Sequence, residues 1–179
     1  MKQILFLLTL LPFFTFCGQQ NKNESKTDAG IPADYHATFY LIRHAEKDRT
    51  NPKDPDPALT IDGLVRAKGW ASYFEPIKLD EIYITKYIRT KQTISLIAQQ
   101  KQISPKRYDP NTLYSEEFLK HANGKTLLIA GHSNTTPMLV NQLLGEEKFQ
   151  EMDDADNATL FKVILTGNEK KVETTKIGD

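Results

Sequence analysis

The sequence predicts a three-layer α/β/α domain built on a mostly parallel sheet with an antiparallel edge. Near-continuous apolar runs of strand length, at residues 38–42 and 126–130, read as strands covered on both faces. Such runs alternate with longer segments whose apolar residues recur at spacings of three and four, the helical period. Two β-branched runs, 159–166 and 171–176, then flank Gly167-Asn168 as the arms of a hairpin. Alternation of strand and helix builds parallel sheet with helices on both faces, and the hairpin adds the antiparallel edge.

Of the 179 residues, 39% are hydrophobic, enough for one well-packed core and too few for two comfortable domains. The 23 basic and 23 acidic residues cancel, so no global field draws the protein to nucleic acid, and any anion selectivity must be local. Residues 1–17 carry a short basic start and an apolar stretch from Ile4 to Phe16, too short to span a bilayer but suited to a signal peptide. Cys17 ends that stretch and resembles the acylated cysteine of a bacterial lipoprotein signal. Phe16 stands where such signals usually carry a small residue, which leaves uncleaved insertion or a loose variant signal as alternatives. Cys17 is also the only cysteine, so no disulfide within the chain stabilises the fold. Residues 18–34 are polar until Ile31 and are expected to form a flexible tether to a domain spanning 35–179. The expectation is an exported protein held to a membrane by an N-terminal lipid anchor.

The first strand, 38–42, runs into Arg43-His44. A loop rich in proline and charge follows at 48–56. Thr60 is placed to cap a helix whose Ile61, Leu64, Ala67, Ala71 and Phe74 share one face, and Pro76 ends it. Trp70, Tyr73 and Phe74 read as core. A second strand is expected at 81–85 and a second helix at 88–100, with Ile94, Ile97 and Ala98 inward. After an irregular stretch, 115–121 reads as a short helix. The strand at 126–130 leads through Gly131-His132-Ser133-Asn134 into a helix with Pro137 in its first turn and Gly145 as its C-cap. His36 and His121 read as surface residues.

Both His44 and His132 thus close buried strands, at the sheet end where open α/β folds bind ligands. Arg43 and Arg89 are suited to phosphate, because a guanidinium keeps its charge and offers a planar fork to two oxygens. A neutral imidazole can attack phosphorus with one ring nitrogen when the other donates to a backbone oxygen, so His44 is a candidate nucleophile. His132, in a turn of small residues, can donate to a phosphoryl oxygen as charge develops. Arg89 opens a helix, where a cation opposes the macrodipole, a placement that makes sense when an anion sits there. Lys47 and Asn134 are candidates for the pocket rim.

These residues lie in four motifs: RHAEK at 43–47, LT-x-x-G at 59–63, R-T-x-x-T at 89–93 and GHSN at 131–134. In this order, and on these elements, they resemble the histidine phosphatase superfamily, also called phosphoglycerate-mutase-like, over residues 38–165. The resemblance implies the phosphoglycerate-mutase-like fold. It also implies that Arg43, His44, Arg89 and His132 form a phosphate pocket in which His44 becomes phosphorylated, with no metal and no cofactor. It further implies an acidic leaving-group donor between the second arginine and the second histidine. Asp109 falls about there, with Glu116 and Glu117 as competitors, although the usual Leu-x-Glu context is absent and Asp109 could simply open a turn before Pro110. The function expected is a histidine-type acid phosphatase, hydrolysing phosphate monoesters of a small phosphorylated substrate. The alternatives are a phosphohistidine phosphatase and a non-catalytic lipoprotein that binds phosphorylated glycan or lipid. Loops 48–58 and 104–117 are expected to set the substrate.

Overall fold

The structure, a computed structural model, describes residues 32–178. The predicted signal segment, Cys17 and all but the last residues of the tether lie outside the described residues. Among the described residues six strands and four helices follow in the order β1 (His36–Arg43), α1 (Ile61–Phe74), β2 (Glu81–Ile84), α2 (Ile88–Lys101), β3 (Lys106–Arg107), α3 (Glu116–Ala122), β4 (Thr126–Gly131), α4 (Thr135–Leu144), β5 (Thr159–Thr166) and β6 (Glu169–Lys176). They form a single sheet in the order β3-β2-β4-β1-β5-β6. The first four strands run parallel, and β5 and β6 add an antiparallel edge. Among the described residues no helix is long and apolar enough to cross a membrane.

Strand alternation divides the core into two layers. Phe39 and Leu41 of β1, with Leu127 and Ile129 of β4, pack against Phe118 of α3 and Leu139, Val140 and Leu143 of α4. Tyr40 and Ile42, with Leu128 and Ala130, pack on the opposite face against Trp70 and Phe74 of α1 and Ile94 and Ile97 of α2. Because both faces of β1 and β4 are covered, their sequences show unbroken apolar runs rather than alternation.

Two expectations need correction. The buried face of α1 consists of Gly63, Ala67, Trp70, Ala71 and Phe74, whereas Ile61 and Leu64 are exposed. The cause is a close approach at Gly63: a Cβ there would fall on the backbone carbonyl of Glu46. That contact seats the first turn of α1 on the segment after His44 and rotates Ile61 and Leu64 outward. The second correction is β3, which the sequence reading passed over. It is only two residues long, both exposed, and hangs on the edge of β2 through Tyr83↔Lys106 and Ile84↔Arg107, so it carries no apolar period to detect.

One register positions the site. The parallel pair β1 and β4 aligns Arg43 with Gly131, and the His44 amide donates to the Gly131 carbonyl at 3.0 Å. The two residues that follow the strands, His44 and His132, therefore emerge side by side.

Candidate active site

His44 is 3% exposed and held at both of its backbone groups, by Gly131 as above and by Asn157, whose Nδ2 donates to the His44 carbonyl at 2.8 Å. Its Nδ1 lies 2.8 Å from the Ala45 carbonyl oxygen. A carbonyl can only accept, so Nδ1 carries the ring proton and Nε2 keeps its lone pair. The Ala45 amide donates to Thr93 Oγ1, which itself donates to the Arg89 carbonyl. Through Thr93, the second threonine of R-T-x-x-T, the segment that follows His44 is therefore tied to the helix that carries Arg89.

The His132 ring sits 5.3 Å from that of His44, centroid to centroid, inclined at 62°. Its Nε2 is 2.9 Å from the Thr85 hydroxyl, and its ring meets Tyr87 edge-on at 5.1 Å. The face of Tyr87 also carries the Arg89 guanidinium, 4.0 Å from the ring centroid, in a cation–π contact. Tyr87 thus touches two of the four expected phosphate ligands.

Arg89 sits where a cation opposes the helix dipole, and the protein supplies part of the missing anion itself. The Asp56 carboxylate accepts from the Ile88 amide at 3.0 and 3.1 Å, capping α2 from a distant loop, and pairs with Arg89 Nη1 at 3.4 Å. Replacing Asp56 by alanine removes that cap and frees the guanidinium. The expected result is a loss of about 1 kcal/mol in stability, measured by urea unfolding, with tighter retention of inorganic phosphate, since a competing carboxylate is gone, measured by calorimetry.

Arg43 is 2% exposed and enclosed by a loop. Its Nη1 donates to the carbonyls of Asp153, Asp154 and Asp156 at 2.8–3.2 Å, and its Nη2 to Asp154 Oδ1 at 2.8 Å, an oxygen shared with Arg49. The same loop binds the residue after His132: Ser133 Oγ donates to Glu151 and the Ser133 carbonyl accepts from the Met152 amide. With Asn157 on His44, the loop laces three parts of the site together. The Nε atoms of Arg43 and Arg89 are buried without a protein partner, so each guanidinium has donor capacity left for an oxyanion.

Arg43, His44, Arg89 and His132 are thus brought together, and Lys47 joins them. Lys47 is half-buried, and burial lowers its pKa, reinforced by Arg49, Arg89 and Arg43 and opposed by Asp154. Asn134 is exposed at the N-cap of α4, where its side chain makes no cap bond. Glu46 pairs with Arg66 of α1 rather than with Arg43 or His44. Asp109 is placed differently. Its Oδ1 accepts from the Asn111 amide and side chain in a tight turn, and the residue lines an open groove of about 500 Å³ with Tyr83, Lys106, Tyr108 and Glu117. Glu116 and Glu117 are exposed in the first turn of α3. The carboxylates seen bonded to the site's arginines are instead Asp56 and Asp154. Thr85, Tyr87, Asp56 and the 151–157 loop are the functional positions that sequence reasoning missed.

Electrostatics keeps both imidazoles neutral. Burial pulls the His44 pKa down to about 3, against the hydrogen bond to Ala45 and with help from His132, Arg89 and Arg43. Burial also lowers His132 to about 4, followed by Arg89, Arg43 and Lys47. The unfolded chain therefore binds more protons than the folded one between these values and the ordinary 6.5, so this contribution to stability falls as pH drops through that window. Both rings are expected to stay neutral from pH 8 to 5 in an NMR titration. Adding inorganic phosphate should raise both midpoints, since an anion between the rings favours imidazolium.

With this geometry in place, the sequence matches the family model of the histidine phosphatase superfamily (branch 1) over residues 39–111, a span that holds Arg43, His44 and Arg89 and ends before His132. The fold is similar to that of the protein histidine phosphatase SixA complexed with tungstate, at 13% identity and TM-score 0.61, covering 78% of this chain and 96% of that one. It is also similar to phosphoglycerate mutase from Bacillus anthracis, at 15% identity and TM-score 0.60, covering 80% and 94%. A mutant phosphoserine phosphatase from Entamoeba histolytica in complex with phosphoserine matches at 16% identity and TM-score 0.57, covering 78% and 95%. A search of curated proteins finds no match.

Proposed function

We propose that this chain, which belongs to the histidine phosphatase superfamily and has its phosphoglycerate-mutase-like fold, is a phosphohydrolase working through a phosphohistidine at His44. The observation that carries this reading is the His44 tautomer, with Nδ1–H committed to the Ala45 carbonyl and Nε2 free, beside two arginines and a second imidazole. In the first step the Nε2 lone pair forms a bond to phosphorus while the bond to the leaving oxygen breaks, its electron pair departing with the leaving group, which takes its proton from solvent water. In the second, water attacks phosphorus, the N–P bond breaks with its pair returning to Nε2, and inorganic phosphate leaves. Arg43, Arg89 and His132 hold the equatorial oxygens in both steps, which is where most of the catalysis of phosphoryl transfer resides. The test is release of phosphate from an aryl phosphate by the full chain in the presence of chelator, with inhibition by vanadate and an acid-labile, base-stable phosphoenzyme trapped on quenching. No release, or a trapped phosphoester in place of phosphohistidine, counts against the proposal.

A second reading, phosphohistidine phosphatase, is favoured by one observation. Asp109 spends its carboxylate on a local turn, and a phosphorus–nitrogen bond has less need of a strong leaving-group acid than an alkyl ester. Faster turnover of a phosphoramidate than of an alkyl phosphate would support it. The apolar run ending at Cys17 further supports an exported, lipid-anchored protein. Incorporation of labelled fatty acid that is lost in Cys17→Ala tests this, and no incorporation refutes it.

A further inference from the structure

Thr85 follows β2 and is 2% exposed, with its hydroxyl 2.9 Å from His132 Nε2 and 3.1 Å from Thr90 Oγ1. Thr85 has one hydroxyl proton for these two contacts. Thr90 can give its own proton to the Tyr87 carbonyl at 2.8 Å or to Thr85 Oγ1 at 3.1 Å, so the contact between the two threonines is met with either as donor. Two assignments follow. Either Thr85 donates to His132 Nε2 and the imidazole carries its proton on Nδ1, or Nε2–H donates to Thr85 and Nδ1 is left bare.

The contact to Nε2 is the shorter of the two, and a neutral imidazole nitrogen is a stronger acceptor than a hydroxyl. Among the described residues the His132 side chain has no other hydrogen bond, so Nδ1 is the ring nitrogen left for a ligand. Phosphoryl oxygens only accept, and a bare Nδ1 would repel them. Tyr87, edge-on to the imidazole at 89°, packs against the ring that this tautomer requires to stay in place.

We propose that Thr85 is a positioning residue that donates to His132 Nε2 and thereby fixes the proton on Nδ1, where it meets a phosphoryl oxygen. This rests on the reading of the site as a phosphate pocket. In this arrangement His132 acts as a neutral hydrogen-bond donor throughout, and no proton is transferred from it.

The tautomer is read directly, by nitrogen-15 shifts of histidine-labelled full chain at pH 7 with saturating vanadate, His132 being assigned by comparison with His132→Gln. The expected result is Nδ1–H in the wild type and in Thr85→Ser, and a mixed or Nε2–H state in Thr85→Val. Thr85→Val should also lower kcat on the order of tenfold, the loss of one oriented hydrogen bond, with KM within about twofold, while Thr85→Ser recovers most of the rate. An Nε2–H tautomer in the wild type overturns the proposal, and so does a Thr85→Val protein that keeps both tautomer and kcat. Should Thr85→Val fail to fold, the wild-type tautomer alone decides. A wild type without phosphatase activity defeats the phosphohydrolase reading, yet the tautomer still decides the role of Thr85.

Discussion

His44→Ala is expected to lower phosphate release roughly 10⁴-fold or more while leaving the fold intact, because the proposed covalent route runs through one lone pair. No neighbouring group can take over. The other imidazole has its Nε2 held by Thr85 and stands 5.3 Å away, and an arginine guanidinium keeps its charge and is no nucleophile. The structural loss is small: one hydrogen bond to Ala45 and a side chain beside polar neighbours, while the backbone bonds to Gly131 and Asn157 remain. The cost in stability is therefore about 1–2 kcal/mol. Because Arg43, Arg89 and His132 survive in the variant, vanadate-independent binding of inorganic phosphate should persist within about tenfold, which a purely structural lesion would not allow. Steady-state release, phosphoenzyme trapping and phosphate calorimetry together test this. Residual activity above one part in a hundred, or a phosphohistidine still trapped, would remove His44 as the nucleophile.

What could be read from the sequence divides along a physical line. Strands 36–43 and 126–131 are legible because burial on both faces forces unbroken apolar runs, and the side chains at their ends are chemically conspicuous. Arg43, His44 and His132 follow from that, while Arg89 is signalled by a cation at the start of α2 and by the motif resemblance. The 151–157 loop was illegible because it works through backbone carbonyls: Glu-Met-Asp-Asp-Ala-Asp-Asn reads as solvated loop, and nothing in the side chains announces that three of its carbonyls bind a guanidinium. Asp56 acts across 33 residues, a separation that no local pattern reports, although a cation at a helix start signalled that an anion was needed there. Thr85 and Tyr87 were hidden for another reason. Each is an ordinary strand or turn residue by composition, and only the meeting of β2 with β4 gives it a partner in His132. The Ile61 and Leu64 error shows the limit of periodicity, since two faces of α1 carry apolar residues and the contact at Gly63 chooses between them.

Arg43→Met should damage both stability and activity, and the two losses can be separated. Met keeps much of the buried volume and removes every donor. The carbonyls of Asp154 and Asp156 then lose the guanidinium that holds them, while the Asp153 carbonyl keeps its bond from the Asp156 amide. The ion pair itself contributes little, because Asp154 is 70% exposed and retains Arg49. The stability cost therefore comes from the carbonyls, partly re-solvated at the loop surface, and is about 2–3 kcal/mol. Catalysis suffers more, since the phosphoryl group loses a fixed cation and the loop that orients His44 through Asn157 is released: kcat/KM should fall roughly 10³-fold. Arg43→Lys discriminates between the two effects. It restores a charge for phosphate but has no planar fork to satisfy the loop and the ligand together. It should recover phosphate binding in part and leave the 151–157 loop open, seen as faster amide exchange at Ala155 and Asp156 and unchanged exchange in β1 and β4. If Arg43→Met unfolds no more easily than wild type, the loop does not depend on the guanidinium. If Arg43→Lys restores full activity, a point charge suffices and the enclosed geometry has no catalytic consequence.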